Sequence, residues 1–151
     1  MSSAGKIRTV LRVGPSGWSR IGHTLLVARR IERSLKHEQL DVTASRFGAR
    51  LSFGPPDRVA ERLSISDAER AELRIALAVL RTGPGNGTCL RRALVMADVL
   101  QHHRPVLRVG VTKEAGLVEA HAWLEVSGIA VDPMSDREFV MLRSPSSLEL
   151  S

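Results

Sequence analysis

The sequence predicts an α+β domain in which N-terminal helices come before a further helix that packs on a small antiparallel sheet. Apolar residues recur at helical spacing in three segments, and three short strand-like runs follow them. A length of 151 residues suits one domain that buries its own core without disulfides or structural metal. The predicted helices cover 20–40, 66–82 and 88–100, and the predicted strands cover 106–112, 120–126 and 129–133.

The formal net charge of +6 comes from the first 60 residues. They hold 11 lysine and arginine residues against 4 acidic ones, whereas residues 61–151 hold 11 against 12. Aromatic residues make up 3% of the chain, so the stacking platforms typical of single-strand nucleic-acid binding are scarce and we expect no nucleic-acid partner. Docking of a peptide partner explains this split in charge better than polyanion binding, and a purely solvated arm is the other explanation.

The basic segment is predicted to hold one helix between two irregular stretches. Residues 1–20 are rich in Gly, Ser and Arg and are expected to form a loose arm, and residues 41–60 are expected to be a connector broken at Gly54-Pro55-Pro56. The helical pattern between them favours a buried face made of Ile21, Leu25, Ala28 and Leu35. Its arginines are interpreted as a solvated face in preference to a membrane or acidic-peptide surface.

The next helix begins with a capping box, because Ser66 is followed three residues later by Glu69. Leu73, Leu77 and Leu80 are its predicted buried stripe. A glycine-rich loop, residues 83–88, then leads into the third helix. The loop lacks the Lys-Ser/Thr of a phosphate-binding P-loop, and we expect neither a cofactor nor a metal.

Cys89 is the only cysteine, which excludes an intrachain disulfide, a cysteine-rich zinc site and a CxxC redox pair. It lies at the predicted N-terminus of the third helix, directly after the glycine-rich loop. The free N–H groups and the dipole at such a helix end stabilise a thiolate. A lone cysteine is as often a buried core residue, so its position alone leaves both roles open.

His121 and Asp132 favour the catalytic role. If Ser127-Gly128 is a two-residue hairpin turn, Trp123 lies opposite Asp132, and His121 lies two residues away on the same face. His121 and Asp132 are then diagonal neighbours, about 7–8 Å apart at the backbone, which their side chains can bridge. A slip of one residue would place them on opposite faces.

A nucleophile, a base and an orienting acid would thus meet at one place. Cys89 would attack a carbonyl, His121 would transfer the proton, and Asp132 would orient the imidazole. Each residue also has an ordinary structural interpretation: a core thiol, a strand histidine and a turn acid. Weaker candidates are also present: Asn86 and Trp123 as oxyanion or substrate contacts, His102-His103 at a helix end, and Glu125 as a solvated or paired strand acid.

Several strings resemble one known family. They are Thr88-Cys89-Leu90-Arg91-Arg92-Ala93-Leu94, Val109-Gly110-Val111, Ala120-His121-Ala122-Trp123-Leu124-Glu125-Val126, and the following Gly128 and Asp132. Over roughly residues 63–142 the chain resembles the leader peptidases of bacterial lasso-peptide biosynthesis. These enzymes belong to the transglutaminase-like, papain-related cysteine proteases.

This resemblance implies a transglutaminase-like fold, with a basic helical arm and connector at 1–60 and a catalytic domain at 61–151. It implies Cys89 as nucleophile, His121 as base and Asp132 as third member of a triad that cuts a precursor peptide between leader and core. It further implies a stand-alone peptidase that acts in the cytoplasm with a PqqD-like leader-recognition protein and an ATP-dependent lasso cyclase. The alternatives are another transglutaminase-fold acyltransferase or amidase, and a non-catalytic peptide-binding module.

Overall fold

The computed structural model describes residues 15–53, 59–82, 88–114, 117–131 and 140–141. Within these ranges the chain forms four α-helices and one five-stranded sheet. The helices are α1 (Pro15–His37), α2 (Leu40–Arg46), α3 (Asp67–Thr82) and α4 (Cys89–Val99), and a 3₁₀ turn (Gln101–His103) follows α4. The strands are β1 (Arg50–Ser52), β2 (Val106–Glu114), β3 (Leu117–Val126), β4 (Ile129–Ala130) and β5 (Val140–Met141). The α+β class is confirmed.

The sheet is mixed, which corrects the expectation of a purely antiparallel one. Its order is β1-β2-β3-β4, and β5 also pairs with β2. The β2–β3, β3–β4 and β2–β5 pairs are antiparallel, but β1 runs parallel to β2 with Arg50 opposite Val106. A three-residue strand that pairs so far along the chain has no local periodic signal, and β5 likewise has none.

One hydrophobic core joins the helices to one face of the sheet. α1, α3 and α4 pack against one another, and α4 also packs against β3. Since side chains alternate along a strand, Ala122, Leu124 and Val126 face this core, together with Leu107 of β2. Among the described residues, no helix combines the length and the apolar character needed to cross a bilayer.

The buried face of α1 agrees with the predicted one only in part, since Ala28 and Leu35 pack against the core but Leu25 does not. The helix begins at Pro15, inside the expected loose arm, because proline is well tolerated at the first helical position. Leu25 is 51% exposed, whereas Val27 and Ile31 are buried. The buried face also includes Thr24, whose hydroxyl donates to the Arg20 carbonyl at 2.9 Å, and Ser34, which binds Glu38. A hydrophobicity pattern cannot find such a face, because its polar members are buried only when they are hydrogen-bonded.

The expected connector at 41–60 is in part regular structure. It contains most of α2 and all of β1, whereas Gly54-Pro55-Pro56 lies outside the described residues. Gly48 joins α2 to β1 with a φ of +80°, a conformation that side chains rarely adopt. A Cβ at Gly48 would lie 2.5 Å from the Gln101 Cβ, so this turn packs against the 3₁₀ segment that precedes β2.

We expect Gly48→Ala to destabilise the protein by about 2–4 kcal/mol, because it combines a positive φ with a clash against an atom close to the backbone. Gly22→Ala is the matched control. Gly22 lies within α1 with open space around it, so alanine should be neutral or stabilise by up to about 1 kcal/mol. Urea unfolding measures both variants, and equal stabilities would contradict the close packing at Gly48.

The capping box at the start of α3 is confirmed. The Glu69 N–H donates to Ser66 Oγ at 3.2 Å, and Glu69 Oε2 accepts from the Ser66 N–H and hydroxyl at 2.7 Å each. On its other side, Glu69 Oε1 lies 2.8 Å from His103 Nε2. These hydrogen bonds from Ser66, and then the contact with His103, lower the Glu69 pKa to about 2.

The depressed pKa of Glu69 predicts a contribution to acid stability. This contribution is fully present above the unfolded-state pKa of about 4.3, and it is lost as the pH falls towards the folded value of about 2. In the Glu69→Gln variant, the free energy of unfolding should therefore fall less steeply as the pH is lowered from about 4.5 to 2. The measurement is urea unfolding across this range. Glu72→Gln is the control, and identical slopes for Glu69→Gln and the parent chain would contradict the role of Glu69.

Candidate active site

Cys89 is the first residue of α4, as the sequence predicts. The helix begins there because Thr88 is its N-cap: Thr88 Oγ1 accepts from the Arg91 N–H at 3.3 Å. The cysteine is half-buried, carries a free thiol and packs against the edge of the core. The Cys89 thiol is therefore neither a fully buried core residue nor a fully exposed group.

The first turn of α4 favours negative charge. It contains Arg91 and Arg92 and has no acidic residue. Arg91 also reaches α1, where its Nη2 lies 3.2 Å from Glu32 Oε1. The N–H groups at a helix N-terminus, with cationic side chains nearby, can stabilise a thiolate or the oxyanion of a tetrahedral intermediate.

His121 lies on β3, the strand against which α4 packs. It is half-buried, and its Nε2 atom is shielded from solvent. Gly110 of β2 lies directly opposite, so no side chain from that position crowds the imidazole. α4 and β3 are thus in direct contact, but side chains alternate along β3, so His121 lies on the face opposite to Ala122 and Leu124, which face the helices.

A buried polar chain supports the face of the sheet that carries His121. The His121 ring stacks on the Trp123 indole, with the ring centroids 6.1 Å apart and an angle of 15° between the planes. Trp123 Nε1 donates to Glu125 Oε1 at 3.0 Å, and Arg108 Nε donates to Glu125 Oε2 at 2.9 Å. Arg108 Nη1 donates to Ser52 Oγ at 2.8 Å, which ties the chain to β1. These bonds fix the indole against which the imidazole lies.

The β3–β4 hairpin has the predicted register. Val126 pairs with Ile129, and the Val131 N–H donates to the Leu124 carbonyl at 2.9 Å. Ser127 and Gly128 have φ values of 52° and 78°, as a two-residue type I′ turn requires. Asp132, which follows Val131, lies outside the described residues, and so does Asn86. Their predicted roles therefore stay predictions.

Two of the remaining candidates, Glu125 and His103, have structural partners. Glu125 was expected to be either a solvated or a paired strand acid. It is the paired one, buried together with Arg108. His103 contacts Glu69, and no group of three or more metal-ligating side chains occurs within the described residues. Sequence reasoning missed Arg108 and Ser52. The signal for Arg108 is the β2–β3 register, which makes it a diagonal neighbour of Glu125, and the signal for Ser52 is the β1–β2 register, which places it opposite Arg108.

The architecture has a thiol at the start of a helix that packs on a strand carrying a histidine, beside a hairpin. In acyl transfer by a cysteine, such a thiol acts together with a histidine. No curated protein and no solved structure matches the chain. The family model described as "Transglutaminase-like superfamily" matches residues 23–144, which includes the whole of α4 and of the β3–β4 hairpin. The chain therefore belongs to the transglutaminase-like superfamily, whose members are of the papain-like cysteine protease and acyltransferase kind.

Proposed function

We propose that this protein is a cysteine peptidase that removes the leader from a ribosomally made lasso-peptide precursor. The observation that carries the proposal is the position of Cys89. The only cysteine of the chain is the first residue of a helix that packs on the strand bearing His121. The leader specificity rests on the strings around Cys89 and His121 that resemble those peptidases.

The chemistry would proceed in two steps. His121 accepts the Cys89 proton as the sulfur attacks the scissile carbonyl carbon, and the developing oxyanion faces the N–H groups at the start of α4. The C–N bond then breaks, His121 protonates the leaving amine, and the leader stays attached as a thioester. Water, deprotonated by His121, attacks that thioester and releases the leader as a carboxylate and Cys89 as a thiol. Asp132 would hold the imidazole in the required orientation.

The proposal includes partners and a place in the cell. The peptidase would act on the precursor peptide together with a PqqD-like leader-recognition protein. The amine freed at the core N-terminus would be the substrate of an ATP-dependent cyclase. All three would meet in the cytoplasm, where the reducing environment preserves the Cys89 thiol.

The test combines the protein with a precursor peptide and its recognition protein, and weighs the products by mass spectrometry. Cleavage at one junction, with one water added, supports the peptidase. No cleavage of any precursor under conditions in which the recognition protein binds its leader would overturn it.

The alternative within the superfamily is an acyltransferase or amidase, in which an amine replaces water in the second step. The family match favours this alternative as much as a peptidase, because both chemistries pass through the same thioester. Hydroxylamine would trap the shared thioester as a hydroxamate in either case, so the dependence of product formation on an amine acceptor is what separates the two. A product that forms only when an amine acceptor is supplied would identify the transferase.

A further inference from the structure

An open groove lies between α1 and α3 and reaches the first turn of α4. Leu25, Leu26 and Arg29 of α1 line it with Leu80 of α3, and Arg91 of α4 also contributes. Its volume is about 690 Å³, enough for several side chains of a bound peptide. We call it the α1–α3 groove.

The α1 wall of this groove exposes large apolar side chains. Leu25 is 51% exposed and Leu26 is 48% exposed. Trp18, which is 52% exposed, precedes Leu25 by seven residues and so lies on the same side of the helix. Single exposed apolar residues are common, but several on one side of a helix beside a groove are typical of a binding surface.

The same side of α1 is positively charged towards its C-terminal end. Arg29 and Lys36 line the groove, and no described carboxylate forms an ion pair with either. Glu32 also lines it, but this carboxylate is already engaged by Arg91 at 3.2 Å. The groove thus combines exposed apolar side chains with two cations that can bind carboxylates of a partner.

We infer that the α1–α3 groove binds an acidic, amphipathic segment of the peptide substrate, an inference that rests on the proposed function. Apolar side chains of the segment contact Leu25 and Leu26, and its carboxylates contact Arg29 and Lys36. Arg91, at the α4 end of the groove, is two residues from Cys89. Along the α4 axis, the groove therefore ends within one helical turn of the candidate nucleophile.

The charges disfavour two other occupants. Residues 1–14 of this chain contain Lys6, Arg8 and Arg12 and no acidic residue, so that segment would bring like charge to Arg29 and Lys36. A second copy docked through the same face would bring Arg29 and Lys36 against their own equivalents. An acidic peptide is the occupant that complements this surface.

The test measures peptide binding by fluorescence anisotropy to the full chain carrying Cys89→Ala, so that no probe is cleaved. The probe is a synthetic amphipathic peptide of about 18 residues, five helical turns, with leucine on one face and glutamate elsewhere. Leu26→Asp is expected to weaken binding at least about tenfold, since it removes an apolar contact and adds a like charge. Arg29→Glu is expected to weaken it about tenfold and to reduce its dependence on salt.

Two matched variants control for general effects of charge. Val42→Asp places the same change at another exposed apolar residue, on α2, and Arg33→Glu reverses a cation of α1 that does not line the groove. Both should leave the probe affinity within about twofold of the parent. A circular-dichroism melt of each variant verifies folding.

The contradicting outcomes are distinct. Equal binding of a counterpart probe with lysine in place of glutamate would overturn the acidic preference. Equal losses in Val42→Asp and Leu26→Asp would overturn the location. A concentration-dependent dimer that Leu26→Asp abolishes would assign the groove to a second copy. Since the binding assay involves no cleavage, its failure is distinguishable from a failure of the peptidase proposal.

Discussion

Replacement of Cys89 by alanine is expected to lower turnover of the precursor peptide by about 10³-fold or more, because the thioester cannot form without the sulfur. Stability should change little, since Cys89 lies at the edge of the core and is only half-buried. Product formation is measured by mass spectrometry and folding by circular dichroism. Full activity of the folded variant would exclude Cys89 as the nucleophile.

Chemical modification gives an independent test of the same residue. Because the chain contains one cysteine, iodoacetamide has a single thiol to alkylate, and loss of activity should follow the incorporation of one label. His121→Ala should lower turnover to a similar extent, since nucleophile and base act as a unit and their effects are not additive. A loss in the double variant much larger than in either single one would contradict that coupling.

The parts of the fold that were predictable have strong local signals. Ser66 and Glu69 form the capping box, Thr88 caps α4 in front of Cys89, and Ser127-Gly128 adopts the positive φ values of a two-residue turn. Each signal depends on residues a few positions apart, so it can be identified in one sequence.

The parts that were not predictable depend on distant partners. β1 pairs with β2 across more than fifty residues, and nothing in its three residues indicates a parallel neighbour. The buried face of α1 includes Thr24 and Ser34, which are tolerated there because their hydroxyls find acceptors within the fold. β2 and β3 also pair over residues 113–114 and 117–119, which were expected to lie between strands.

The candidate site likewise has features that the local sequence predicts and features that depend on distant partners. The start of α4 and the strand position of His121 follow from local patterns, as does the register as far as Val131. The buried chain from Ser52 to Trp123 does not, because it requires the β1–β2 and β2–β3 registers together. Glu125 therefore had two interpretations in the sequence, and the tertiary pairing with Arg108 distinguishes them.

The Arg108–Glu125 pair predicts a large loss of stability. Arg108 is 2% exposed and Glu125 is 6% exposed, and their nitrogen and oxygen lie 2.9 Å apart. Glu125→Ala should lower the free energy of unfolding by about 3–5 kcal/mol, because it leaves a buried guanidinium without its carboxylate and removes the acceptor of the Trp123 N–H. Glu125→Gln should cost less, since its amide oxygen can still accept one of these bonds.

A double-variant cycle separates the pair from its surroundings. Arg108→Met removes the buried cation, so adding it to Glu125→Ala should recover part of the lost stability, and urea unfolding should give a coupling of about 1–3 kcal/mol. Additive losses would contradict a direct pair.

The variants should also lower kcat through His121, because the Trp123 indole against which its ring stacks is held in place by Glu125. Glu125→Gln keeps the shape and loses the charge, so a turnover closer to the parent than that of Glu125→Ala identifies positioning of the indole, rather than the charge, as the requirement.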